Sequence, residues 1–253
     1  MLILLTNDDG LTATGIQTLR QTIEPLGEVV LVAPDRERSA SGHGITMHKP
    51  LRVEKQYFGE SLGYAVSGTP ADCVKLALEQ LLDRPPHLVI SGINKGANLG
   101  TDVLYSGTVS GALEAIINGI PSMAVSLDLR GNELFSTAAD FILKLIPIAV
   151  KQSLPSRTFL NINVPDVEST EIKGIQVAKL GARRYVNSVV ERKDPRGKSY
   201  YWLSGVLEDK AQPDTDVWAV AHNYIAITPV QYDLTDYSQL TKLKTLEERN
   251  LWS

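Results

Sequence analysis

The chain has 253 residues, 43% of them hydrophobic and 21% charged, enough apolar content for the core of one large domain or of a domain with an appendage. Its formal net charge of −4 offers no basic field for long nucleic acid, although a bound metal could supply positive charge locally to a small phosphate ester. The one cysteine excludes an intrachain disulfide and a Cys-rich zinc site.

The opening MLILLTNDDG has no basic leader and only a short apolar run, and the apolar stretch 141–150 is interrupted by Lys144 and Pro147. No membrane span is expected, and the protein is expected to be cytoplasmic. Continuous apolar runs at 2–6, 28–33, 87–91, 122–126 and 159–164 predict strands covered by helices on both faces, as in a parallel sheet. Helical patterns fall between them. Residues 15–23 carry Ile16, Leu19 and Ile23 on one face, with Gly27 as a stop. The sequence Thr69-Pro70-Ala71-Asp72 starts a helix over 70–82, on which Cys73 reads as core filler beside Leu76 and Ala77. Helices follow at 108–118 and 136–151, the second with a kink or early end at Pro147. This rhythm predicts an α/β fold with a doubly wound, mostly parallel sheet.

The segment 45–66 predicts a small antiparallel excursion. After about Pro165 the pattern loosens, with strands at 173–179, 198–203 and 224–229, a polar loop at 192–198, and a final amphipathic helix at 238–251. The chain therefore divides into a catalytic core, residues 1–165, and a C-terminal extension, residues 166–253.

Chemistry gathers where strands end. Ligands of open α/β sheets bind beyond the carboxyl ends of the strands, which is where Asp8 and Asp9 stand in Thr6-Asn7-Asp8-Asp9-Gly10. Two adjacent carboxylates repel unless a cation neutralises them, and hard oxygen donors suit Mg²⁺ or Mn²⁺; the same residues also make a good turn. The second strand ends in a loop with Arg36, Arg38, Ser39 and Ser41, suited to phosphate oxygens or simply to solvent. The third runs through Gly92, Asn94, Lys95, Gly96, Asn98 and Gly100 to Ser106-Gly107-Thr108 at a helix start, a natural phosphate seat. Asn94 and Asn98 offer neutral oxygen ligands. The spacing is neither Walker A nor the dinucleotide fingerprint, and no Gly-x-Ser-x-Gly elbow is present. Of the histidines at 43, 48, 87 and 222, only His43 falls near these loops, as a candidate proton shuttle.

Assembled, the segments ILLTNDDG, VAPDRERSASG, SGTPADCV, SGINKGANLGTDVLYSGTVSGALE, LNINVP, DPRGKSYYW and YIAITP closely resemble the SurE (survival protein E) family of 5′/3′-nucleotidases. The resemblance implies a cytoplasmic phosphatase that hydrolyses nucleoside 5′- and 3′-monophosphates to nucleoside and phosphate, some members also acting on short polyphosphate. It implies one divalent ion per subunit, Mg²⁺ or Mn²⁺, with ligands matching Asp8, Asp9, Ser39 and Asn94. Asp8, Asp9 and Asn94 are then the catalytic set. The glycine-rich stretch with Lys95, Gly96 and Asn98, together with Ser39, Ser106, Gly107 and Thr108, matches the phosphate surroundings. The implied fold is a Rossmann-like three-layer α/β/α arrangement whose C-terminal extension is exchanged between subunits of a homodimer, or of a dimer of dimers. Thr101 stands where the family often has an acid, and residues 43–51 lie outside the resemblance. Two other classes share some features: a signalling receiver, which would need a phosphoacceptor aspartate ending the third core strand where Ser91-Gly92 stands, and a nucleotide-binding protein without turnover.

Overall fold

In the computed structural model, which describes residues 1–152, 157–186, 189–203, 205–209, 212–247 and 249, β1 (Leu2–Thr6) leads through α1 (Thr14–Ile23) to β2 (Glu28–Pro34). A hairpin of β3 (Val53–Phe58) and β4 (Ser61–Val66) precedes α2 (Pro70–Leu76). The chain continues as β5 (Leu88–Lys95), α3 (Gly107–Ile117), β6 (Ser122–Asp128), α4 (Phe135–Gln152) and β7 (Thr158–Pro165). Beyond lie β8 (Gly174–Val177), β9 (Arg183–Val186), β10 (Val189–Lys193), β11 (Ser199–Leu203) and β12 (Val206–Asp209). The last elements are α5 (Asp216–Ala221), β13 (Tyr224–Gln231) and α6 (Tyr237–Leu243).

Nine strands form one sheet in the order β3-β4-β2-β1-β5-β6-β7-β13-β8. From β4 to β7 the pairings are parallel; β3 closes one edge antiparallel to β4, and β13 joins β7 antiparallel and carries β8 parallel to itself. The two-residue period of a strand divides the core. Ile3, Leu5, Val29 and Leu31 pack with Ile16, Leu19 and Ile23 of α1 and Ala138, Ile142 and Ile146 of α4. Leu2, Leu4, Val30 and Val32 face the other layer, with Cys73 and Val74 of α2 and Ala115 of α3. Apolar demand on both faces is why these strands read as unbroken hydrophobic runs. The chain leaves β1 toward β2 and β4, then returns on the other side of β1 for β5. That reversal opens a crevice at the carboxyl ends of β1 and β5.

Several elements differ from expectation for local reasons. Strand β5 runs on to Lys95, because Asn94 and Lys95 resume pairing with Ser126 and Leu127 after a register shift following Ser91. Gly92 makes the shift possible, since a Cβ there would meet the Val125 carbonyl oxygen at 2.3 Å. The expected 45–66 excursion is the β3–β4 hairpin, and β4 adds directly to the main sheet beside β2. Helix α2 passes into a π turn at Ala77–Leu81, and α4 continues past Pro147 to Gln152. In the expected final helix, α6 is followed by a 3₁₀ turn at Lys244–Leu246, while positions 248, 250 and 251 lie outside the described residues. Past Pro165, β8 and β13 extend the main sheet, whereas β10–β11 and β9–β12 are two-stranded ribbons apart from it.

The loop entering α4 is organised by one buried carboxylate. Asp166 accepts backbone N–H bonds from Arg130 (2.9 Å), Asn132 (2.8 Å), Glu133 (3.0 Å) and Leu134 (2.8 Å). Burial pushes its pKa up, but the four amides outweigh that and hold it below the ordinary 3.8. Asp166→Asn should therefore cost about 2–3 kcal/mol near pH 7. A depressed folded pKa means the stabilisation is complete above 3.8 and is lost as pH falls through the folded value. Urea midpoints of both proteins should converge in strong acid; a gap as wide there as at neutral pH would contradict this role.

Candidate metal and phosphate site

The turn after β1 is shaped by Asn7, whose Nδ2 donates to the Gly10 carbonyl (2.9 Å) while its Oδ1 accepts from the Gly10 amide (3.1 Å). The clamp turns the chain sharply enough to leave Asp8 buried and Asp9 half-buried at the sheet edge. Gly10, at φ +107°, supplies the conformation the turn requires.

Asp8 faces the N-terminus of α3. The Thr108 hydroxyl donates to Asp8 Oδ1, and at Gly107 a Cβ would fall 2.8 Å from Asp8 Oδ2, so only glycine admits this approach. Ser106 caps the helix, its Oγ accepting from the Val109 amide (3.1 Å). Burial raises the Asp8 pKa from 3.8 to about 6, against the lowering Thr108 bond and with a further push from the Asp9 charge. Burial likewise raises Asp9; the Lys95 amide, donating to Asp9 Oδ2 (2.9 Å), works against it, and nearby Glu37 adds to it.

The second loop is pinned by the Arg38 amide, which donates to the Asp8 carbonyl (2.7 Å). Its side chains are turned inward to the loop: Arg38 Nη2 reaches Asp35 (3.3 Å), Arg36 lies 3.9 Å from the same oxygen, and exposed Ser39 donates to Glu37 (2.6 Å). Ser39 keeps its oxygen lone pairs for a ligand. His43 bonds Glu114 of α3 (2.9 Å) and holds that carboxyl below its usual range despite burial.

The third segment arrives as the end of β5. Asn94 Nδ2 donates to the Gly96 carbonyl (2.8 Å), leaving Oδ1 as the acceptor on offer. The Gly96 amide is committed to the Asn94 and Leu127 carbonyls (3.2 and 3.1 Å), and the Lys95 ammonium pairs with Glu133 (2.6 Å), a partner set in place by the Asp166 loop. Asn98 is anchored: its Nδ2 bonds Ser126 Oγ (2.8 Å), and its carbonyl accepts from Asn161 (2.9 Å) and Asn163 (3.0 Å). Asn161 and Asn163, two buried amides on one face of β7, are the sequence signal that marks this anchor.

Asp8, Ser39, Asn94, Lys95, Asn98 and Ser106 line one cleft of about 270 Å³, together with Ala40, Ala97, Asp102, Tyr105 and Tyr185. His43 lies outside this lining, against a separate apolar hollow with Val109 and Phe159. A larger hollow of about 480 Å³ lies beside Arg20 and Glu24, where the carboxylate is paired with the guanidinium. Asp102, Tyr105 and Tyr185 carry no signal in the sequence, since nothing in local pattern brings residue 185 back to residue 102.

Among the described residues, no group of three or more His, Cys, Asp or Glu side chains could hold a metal ion. That excludes an all-carboxylate or imidazole-rich cage but not two carboxylates completed by neutral oxygens and water, which is how hard ions such as Mg²⁺ commonly bind. Neither Asp8 nor Asp9 has a cationic partner among the described residues' ion pairs, and both are pushed up by burial. Two adjacent carboxylates, one at a helix N-terminus and neither in an ion pair among the described residues, fit a cation. The residues present suit the implied metal.

Fold and site thus define a doubly wound α/β protein with an acidic, oxygen-rich crevice at its topological switch point, beside a helix N-terminus suited to an oxyanion. Residues 3–187 match the family model described as Survival protein SurE, and the chain belongs to that family. The 5′-nucleotidase SurE of Moorella thermoacetica is 57% identical over 246 residues, 96% of this chain and 95% of its own. That of Carboxydothermus hydrogenoformans is 55% identical over 252 residues, 97% of this chain and 96% of its own. The crystal structure of SurE protein from Aquifex aeolicus shares the fold with a TM-score of 0.86 at 42% identity, covering 98% of this chain and 100% of that one.

The raised Asp8 pKa carries a stability prediction. With a folded value of about 6 against 3.8, the folded chain holds the proton more tightly than the unfolded one. Stability of the metal-free protein therefore falls as pH rises through that window. Asp8→Asn should stabilise metal-free protein near pH 7 by about 1–3 kcal/mol, the gain disappearing below 3.8. Chemical denaturation in chelator at both extremes checks this, and a destabilised Asp8→Asn at neutral pH would contradict the uncompensated charge.

Proposed function

We propose that the chain is a divalent-metal-dependent phosphomonoesterase of the cytoplasm that hydrolyses nucleoside 5′-monophosphates, and 3′-monophosphates, to nucleoside and phosphate. Short polyphosphate is a second substrate class in this reading. The observation that carries it is the adjacent carboxylates of buried Asp8, at the N-terminus of α3, and half-buried Asp9, neither of them in an ion pair among the described residues. The names of the Moorella and Carboxydothermus relatives support a nucleotide as the substrate.

Asp8, Asp9, Ser39 and Asn94 would hold one Mg²⁺ or Mn²⁺ per subunit. Such an ion, when bound, offsets the carboxylates and the phosphate together. Phosphoryl transfer asks the protein mainly for positioning and electrostatics. Thr108 and the Lys95 amide hold the two carboxylates in place. The helix start at Ser106, Gly107 and Thr108 presents its amide end to the equatorial oxygens. Lys95, Gly96 and Asn98 complete the wall of the phosphate end, with Lys95 adding positive charge.

Residues 1–165 form the catalytic core in this proposal, and residues 166–253 an extension packing on it; β8 and β13 pair within the chain's own sheet, so the part exchanged between the subunits of a homodimer or dimer of dimers is the β10–β11 ribbon. Its support is apolar surface on the β10–β11 ribbon: Tyr201, Trp202 and Leu203 are 62%, 61% and 86% exposed.

Inorganic phosphate released from adenosine 5′-monophosphate with Mn²⁺ or Mg²⁺, and its loss in chelator, tests the activity. Asp9→Asn should reduce it at least about a hundredfold, and Asn94→Ala should raise the metal concentration needed for half activity. Retained turnover in Asp9→Asn at ordinary metal concentration would sink the assigned site. For the extension, a fragment of residues 1–165 should be insoluble or unfolded, since β13 no longer covers β7. A soluble, active fragment would refute the core's dependence on the extension, and a variant lacking residues 189–203 that keeps the assembly size of the full-length protein would refute the exchange.

A further inference from the structure

At about 270 Å³, the cleft falls just under the usual range for ligand pockets, roughly 300–1,000 Å³. With the phosphate end of a nucleotide seated beside Asp8, a cleft of that size leaves the nucleobase for its rim. Two large aromatic side chains stand there: Tyr105 and Tyr185 line the cleft and remain 67% and 49% exposed.

Their placement is built. Asp216, fully buried, accepts the Gly100 amide with one oxygen (2.8 Å) and the Gly181 amide with the other (2.7 Å). That joins the turn before Tyr105 to the segment entering β9. A Cβ at Gly100 would sit 2.5 Å from the Gly181 carbonyl oxygen, so the two stretches touch along their backbones. Thr101 then bonds the Arg183 carbonyl (2.8 Å), and Asp102 receives both Arg183 Nη1 (2.9 Å) and the Tyr185 hydroxyl (3.0 Å). Tyr105 is held from the other side, its amide on the Asp102 carbonyl (2.9 Å) and its own carbonyl on the Gly42 amide (3.0 Å) of the Ser39 loop. One acidic residue, Asp102, thus anchors the backbone of one tyrosine and the hydroxyl of the other.

We propose that Tyr105 and Tyr185 form the nucleobase subsite, their rings stacking on the base while the phosphate lies at Asp8 and the start of α3. This rests on the nucleotidase reading and deepens it. Stacking on an aromatic face is tolerant of base identity and worth roughly 1–3 kcal/mol per base, about five- to 150-fold in affinity. The subsite therefore selects nucleotides over base-free phosphomonoesters and discriminates weakly among bases. Asp102 acts through Tyr185 and is a positioning residue.

The test compares kcat/KM for adenosine 5′-monophosphate and for ribose 5-phosphate in the full-length protein with Mn²⁺. Wild type should prefer the nucleotide. In Tyr105→Ala and Tyr185→Ala that preference should fall about tenfold, chiefly through KM for the nucleotide. Tyr105→Phe should keep it, and Tyr185→Phe, retaining the ring without the Asp102 bond, should lose less than Tyr185→Ala. A preference unchanged in both alanine variants would overturn the subsite, as would equal use of both esters by wild type; either leaves the phosphatase reading standing. Failure of wild type to hydrolyse either ester would bring down both.

Discussion

Asp8 meets the first turn of α3 at a distance that only Gly107 allows, and the Thr108 hydroxyl closes the contact. The partners are 100 residues apart in sequence, so this meeting exists only if β1 and β5 lie side by side and α3 returns across their carboxyl ends. Gly111, one turn along, enforces the same closeness, since a Cβ there would fall 2.8 Å from Ser91 Oγ and 2.9 Å from the Thr6 side chain. A helix N-terminus driven this close to Asp8 attracts it, but it does not neutralise both adjacent carboxylates after burial has stripped much of their water. The remaining imbalance is what a cation would answer.

The surrounding polar side chains serve mainly as rigid supports. Lys95 lends its amide to Asp9 while its ammonium is occupied by Glu133, and Glu133 is held in a loop wound on Asp166. Asn98 is fixed by Ser126, Asn161 and Asn163 from the neighbouring strands. Such a site places its ligand atoms through backbone geometry and second contacts rather than through mobile side chains. The Thr108 hydroxyl is spent on orienting Asp8.

The alternating half of the fold was legible because strands covered on both faces leave unbroken apolar runs between amphipathic helices. The end of β5 was not, because glycine and polar residues interrupt the run while its pairing with β6 continues beyond the irregularity. The ribbons β9–β12 and β10–β11 are exposed on most of their residues, so they lack the alternation that marks a half-buried strand. Helix α5 spans six residues, too few for a helical period to show. At the site, Asp8, Asp9 and Asn94 were legible from the rule that ligands gather at strand ends. What each support holds depends on contacts across the sequence, as between Tyr185 and Asp102, and no local pattern encodes those.

The central claim is that Asp8 and Asp9 form a cation site that the polypeptide leaves electrostatically incomplete. Titration calorimetry with Mn²⁺ in the absence of nucleotide, repeated near pH 6 and pH 8 in buffers of different ionisation enthalpy, addresses it directly. With Asp8 half-protonated near pH 6, saturable binding of one ion per chain should release a fraction of a proton there and almost none at pH 8. No saturable binding, or binding of equal strength in the Asp8→Asn, Asp9→Asn double variant, would contradict the account.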